Sequence, residues 1–233
     1  MSNDTVMLIS GTSRGVGHHL AKHYASKGWI VAGCSRGKCD LEHPNYHHST
    51  VDITDEAETV TWVRGASKEF GHIDAVLNNA GLASMNHALL TPVETVESLF
   101  DTNFMGTFVI CREAAKVMQR RKFGRIVNFG SIAVSMVLEG ESIYAATKAA
   151  VTTYSRILAH ELAPWNITVN VVAPSPIKTD LIKGVPEGTM QKLLGRMAIN
   201  RYGTFEDTSN VIDFFLSPNS SMITAQVITL GGR

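Results

Sequence analysis

The chain has 233 residues, 44% of them hydrophobic, enough for a substantial core in one large domain or two small ones. Lys plus Arg (21) balances Asp plus Glu (21), which excludes a general electrostatic attraction to nucleic acid or to an acidic membrane surface. Cys34, Cys39 and Cys111 are too few and too scattered for a disulfide framework. With no signal-peptide pattern at the start and no bilayer-length apolar run, a reduced cytoplasmic protein is expected.

Residues 6–10 form an apolar run that stops at Gly11, and residues 15–27 are helix-compatible up to Gly28. Gly11, Gly15 and Gly17 follow the spacing GxxxGxG between this strand and helix. Missing side chains there permit a tight turn, close approach of a pyrophosphate, and close packing of helix on strand. The helix N-terminus then presents its partial positive charge to the phosphates.

Residues 29–34 read as a second strand ending in Ser35-Arg36. In dinucleotide folds an acidic residue at this point binds the 2′-hydroxyl of NAD, whereas arginine suits the 2′-phosphate of NADP. Arg36, with Arg14 in the glycine turn as a second clamp, favours NADP; Asp40 remains an alternative ribose partner. Residues 37–50 hold Pro44 and no helical period, so the crossover helix is shortened or absent.

A third strand is expected at 49–51, followed by Asp52, then a helix at 55–70 and a strand at 72–77 ending in Asn78-Asn79-Ala80-Gly81. Thr91, Pro92 and Glu94 make a helix start with a capping box, and one or two helices run to about Arg121. Asn103 lies inside this apolar region, either as a satisfied structural amide or as part of a site.

A fifth strand at 125–129 leads to Ser131, and a helix at 142–162 carries Tyr144 and Lys148. Residues four apart share a helix face, so a phenol and an ammonium point into one space. A sixth strand at 167–172 precedes PSPIKTDLIKGVPEGT, a mobile cover over about 180–205, with a helix near 190–197. A helix at 206–217 and a strand at 225–230 close a doubly wound, Rossmann-like α/β domain over 1–233, with about seven parallel strands. His19 with His23, and His43 with His47 and His48, acquire no third ligand of recognisable spacing, so no metal site is expected.

Taken together, SGTSRGVG at 10–17, Asp52, NNAG at 78–81, Asn103, Ser131, YAATK at 144–148 and NVVAPSPIKT at 170–179 resemble the short-chain dehydrogenase/reductase family over essentially the whole chain. Within it, GRIVNFGS, ITVNVVAP and TAQVITLGG are most similar to 3-oxoacyl-acyl-carrier-protein reductases. The resemblance implies hydride transfer between nicotinamide C4 and a carbonyl or alcohol carbon. It gives Tyr144 as acid and base, Lys148 as ribose ligand and electrostatic partner of the phenol, Ser131 as holder of the substrate oxygen, and Asn103 as organiser of a water chain. Lowering a phenol from about 10 to about 7 takes about 4 kcal/mol, which one ammonium about 4.5 Å away supplies at an effective dielectric of about 20.

By the same resemblance Gly11, Thr12, Ser13, Arg14, Gly15 and Gly17 surround the pyrophosphate and adenosine, with Arg36 at the 2′-phosphate. Asp52 and Ile53 flank the adenine, Asn79 the adenine-side ribose, and Ile177 and Thr179 the nicotinamide amide. A homotetramer is implied as well. Two departures stand out: Ser175 replaces the usual glycine, restricted further by Pro176, and the segment after Arg36 is short. The expected activity is NADPH-dependent reduction of a 3-oxoacyl thioester or similar ketone. The alternatives are an alcohol or sugar dehydrogenase and a non-catalytic NADPH-sensing regulator.

Overall fold

The computed structural model describes residues 5–232. Strands β1 (Val6–Ser10), β2 (Ile30–Ser35), β3 (Tyr46–Thr50), β4 (Ala75–Asn78), β5 (Gly124–Phe129), β6 (Ile167–Ala173) and β7 (Val227–Thr229) form one parallel sheet. Their order is β3-β2-β1-β4-β5-β6-β7. The helices are α1 (Gly15–Ser26), α2 (Glu56–Phe70), α3 (Val93–Phe100), α4 (Gly106–Arg121), a short α5 (Ala133–Met136), α6 (Ser142–Leu162), α7 (Glu187–Gly195) and α8 (Phe205–Leu216).

Side chains along a strand alternate between the two faces of the sheet, and β1 shows where each face leads. Met7 and Ile9 join the core made by Leu20 and Tyr24 of α1 and Ile212 and Phe215 of α8. Leu8 joins the opposite core, with Val63 of α2, Ile110 and Met118 of α4, and Leu158 of α6. Helices therefore cover both faces, as buried parallel strands require. The chain crosses from one half of the sheet to the other between β1 and β4, and the crevice at their carboxyl ends is where ligands bind in such sheets. No helix among the described residues is long and apolar enough to cross a membrane.

Several boundaries differ from those expected. The third strand begins at Tyr46 rather than 49, because Tyr46 is buried beside β2 and its hydroxyl donates to Thr12 Oγ1 at 2.7 Å. The fourth runs from Ala75 to Asn78, and just before it the Asp74 carboxylate accepts from Val6 N at 2.9 Å. The capping box at Thr91 does not form: the extended Pro92 precedes α3, and the Thr91 hydroxyl donates to His87 O. The last strand is shorter because Ala225 takes a left-handed conformation, φ 60°, and Gly231 closes the other end at φ 87°. Between β2 and β3 no helix forms, as expected.

Candidate active site

The glycine turn is held from two sides. Gly11 sits at φ 77°, where a Cβ would lie 2.8 Å from Ala80 Cα, and a Cβ on Gly17 would collide with Gly11 O. Asn79 Nδ2 reaches across from the end of β4 and donates to Ser10 O and Gly11 O at 3.1 and 3.2 Å. The turn thus has no room for side chains and no freedom to drift. Thr12 is buried and faces β2 and β3 through Tyr46, so neither it nor Gly17 reaches the open cavity.

That cavity, of about 790 Å³, is lined by Gly11, Ser13, Arg14, Gly15, Arg36, Asp52, Ile53, Asn79 and Thr179. Asp52 Oδ1 accepts from Thr54 N and Thr54 Oγ1 at 3.0 and 2.8 Å, which holds its carboxyl below the usual range, helped by the Arg36 charge. Arg14 pairs with Asp180 at 3.3 Å across the cavity edge, tying the turn to the segment expected as a cover. Asp40 does not fold back into the cavity: its carboxylate meets His18 Nε2 at 3.1 Å on α1. With Cys39 these two bring three metal-capable atoms within 4.8 Å of one another, a grouping that spacing along the chain did not reveal.

A second cavity, of about 380 Å³, shares Asn79, Gly81 and Thr179 with the first and holds Ser131, Tyr144, Lys148 and Ile177. The end of β5 delivers Ser131, and the first turns of α6 deliver the other two, so the three expected residues do meet. Burial pushes the Tyr144 phenol up to about 12, the Ser131 hydroxyl works the other way, and the Glu141 carboxylate adds to the rise. The phenol is thus raised here, not lowered as the resemblance implied. Lys148 is itself buried, which brings its ammonium down to about 8, and its Nζ donates to Phe129 O at 3.0 Å.

Asn103 is fully buried in a π-helical turn, Asp101–Met105, between α3 and α4. The widened turn aims the amide inward, where it donates to Leu82 O and Thr147 Oγ1 and accepts from Leu82 N at 2.8 to 3.0 Å. It therefore clamps the loop after β4 onto α6. Gly81 lets it do so beside the lysine: a Cβ there would lie 3.2 Å from Asn103 Oδ1 and 3.5 Å from Lys148 Nζ.

Ser175 is buried, and its side chain packs where Gly203 and Gly231 leave their backbones bare. The hydroxyl's space is thus provided by two glycines far away in sequence. Sequence reasoning missed the rest of the second cavity's wall: Leu138 and Glu141 before α6, and Ile182, Val185, Met190 and Leu193 from the following segment. Only Glu141 carried a signal, standing one helical turn before Tyr144.

Comparison with known proteins places this geometry among relatives. A family model described as enoyl-(acyl carrier protein) reductase matches residues 11–232. The 3-oxoacyl-[acyl-carrier-protein] reductase FabG of Escherichia coli is 29% identical over 233 residues, with 97% of this chain and 96% of that one covered. The 3-oxoacyl-[acyl-carrier-protein] reductase MabA of Mycobacterium tuberculosis is 31% identical over 226 residues, covering 97% and 91%. Among solved structures, ElxO with NADP bound superposes at a TM-score of 0.90 and 27% identity, with 97% of each chain covered. A short-chain type dehydrogenase/reductase from Mycobacterium ulcerans gives 0.90 and 26%, covering 97% and 88%.

Proposed function

The chain belongs to the short-chain dehydrogenase/reductase family, and from that premise we propose that it is an NADPH-dependent reductase of a ketone carbonyl, with 3-oxoacyl thioesters as its substrate class. The observation that carries this reading is the meeting of Ser131, Tyr144 and Lys148 in a cavity continuous with the glycine-turn cavity. The residues fit a phosphorylated dinucleotide. Gly11 and Gly17 let the turn fold tightly, and Arg14 and Arg36 line the cavity it borders. When bound, NADPH supplies the hydride.

The proton chemistry falls to the chain. With its phenol near 12, Tyr144 is protonated at neutral pH and stands ready to give its proton to a developing alkoxide. Ser131 would donate a hydrogen bond to the same oxygen, and Lys148, one turn beyond, would supply positive charge and a ribose contact. The protonated phenol is the form that reduction of a carbonyl needs. The similarity to FabG and MabA supports the thioester, since both relatives are named for it. Exposed Leu89, Leu90, Val93, Met105 and Ile157 support self-association as well, consistent with a homotetramer.

The test is a carbonyl panel that includes an acetoacetyl thioester, run with NADPH and NADH. Turnover of the thioester with NADPH, lost in Tyr144→Phe while NADPH still binds, is the expected result. NADPH binding without reduction of any carbonyl would instead favour a non-catalytic sensor.

A further inference from the structure

Glu141 is a half-buried carboxyl that the proton chemistry above does not use. It lines the same cavity as Ser131 and Tyr144 and precedes Tyr144 by three residues at the start of α6, which puts the two side chains on one face, a turn apart. The cavity's apolar lining includes Leu138 before the helix, Met85 from the loop after β4, and Val185, Met190 and Leu193 from the segment above.

No hydrogen bond or ion pair to a described residue satisfies the Glu141 carboxyl. On its own helix the titratable neighbours are Tyr144 and Lys148, and the lysine Nζ is engaged with Phe129 O. From α7, Arg196 donates to Met136 O and Lys192 is exposed. Ahead of α7, Asp180 and Lys183 pair with each other. Glu139 is exposed, and residues 82–86 carry no titratable group. A half-buried carboxylate with no partner among the described residues is disfavoured relative to the neutral acid, which becomes a donor. Burial accordingly pushes the Glu141 carboxyl up.

Resting on the proposed reduction of 3-oxoacyl thioesters, we propose that Glu141, as the neutral acid, donates a hydrogen bond to the substrate's thioester carbonyl oxygen while Ser131 and Tyr144 hold the ketone oxygen. A 1,3-dicarbonyl presents two acceptors a short distance apart, and this cavity presents donors a helical turn apart. Glu141 thereby selects dicarbonyl substrates over simple ketones.

The experiment follows the ratio of kcat/KM for an acetoacetyl thioester to that for a mono-ketone of equal length, from about pH 4 to about pH 9 with saturating NADPH. The ratio cancels the titration of Tyr144 and Lys148, which both substrates share. In the unaltered protein it should fall about tenfold as Glu141 ionises. In Glu141→Gln, whose amide donates at every pH, it should stay flat, and in Glu141→Leu it should be about tenfold lower at the acid end. A ratio independent of pH in the unaltered protein, or a normal ratio in a folded, NADPH-binding Glu141→Leu, overturns the inference. Should the Leu variant not fold, the pH dependence of the unaltered protein against Glu141→Gln decides alone. No turnover of the thioester by the unaltered protein at any pH would overturn the substrate reading too, and that rate distinguishes the two failures.

Discussion

Replacing Lys148 with methionine should stabilise the folded protein while abolishing its proton chemistry. The lysine is only 5% exposed, and its ammonium is brought from 10.5 to about 8 by burial. At neutral pH the folded state therefore carries a charge it disfavours by about 3 kcal/mol relative to the unfolded chain. Lys148→Met removes that cost at similar volume but forfeits the bond to Phe129 O, worth about 1–2 kcal/mol once the bare carbonyl is included. A net gain of about 1–2 kcal/mol follows, raising Tm by several degrees. The sign depends on pH in a defined way. Between about 8 and 10.5 the unfolded chain binds the extra proton and the folded one does not, so the unaltered protein gains stability as pH rises through that window. The variant's advantage is thus full below about pH 8 and gone above about 10.5. Urea unfolding of both proteins at either end of this range measures it, and a variant less stable at neutral pH, or a difference that ignores pH, would refute the reasoning.

Arg36→Ala should weaken NADPH binding about tenfold or more and leave NADH nearly untouched, since one charge-assisted contact to the 2′-phosphate is lost. Fluorescence titration of both nucleotides checks it, and parallel losses would remove the arginine argument. Asn103→Ala strips Leu82 N and Leu82 O of their side-chain partner and Thr147 Oγ1 of its donor, so a loss of about 2–4 kcal/mol in urea unfolding is expected. A loss under about 1 kcal/mol would mean that the loop after β4 does not depend on the clamp.

The motifs were legible because each states its own geometry. GxxxGxG after an apolar run implies a turn without side chains, and Gly11 and Gly17 indeed meet backbone where a Cβ would go. A four-residue step from Tyr144 to Lys148 implies one helix face, and the two line one cavity. Asn103 was legible only as a buried amide with two possible roles. Choosing between them required the partners, and Leu82 lies 21 residues away and Thr147 44.

What the sequence determined by itself is local: alternation of strands and helices, the glycine turn, the spacing of Ser131, Tyr144 and Lys148, and from these the family. Tertiary structure alone decided the environment of those groups. It brought Gly203 and Gly231 against Ser175, set Arg14 against Asp180, and buried Lys148 so deeply that its ammonium is brought down to about 8. It also left Glu141 without a partner among the described residues, in the cavity that holds Tyr144. Residue type and spacing reveal which chemistry is available, but charge state depends on desolvation and on neighbours distant along the chain, which only the folded packing brings together.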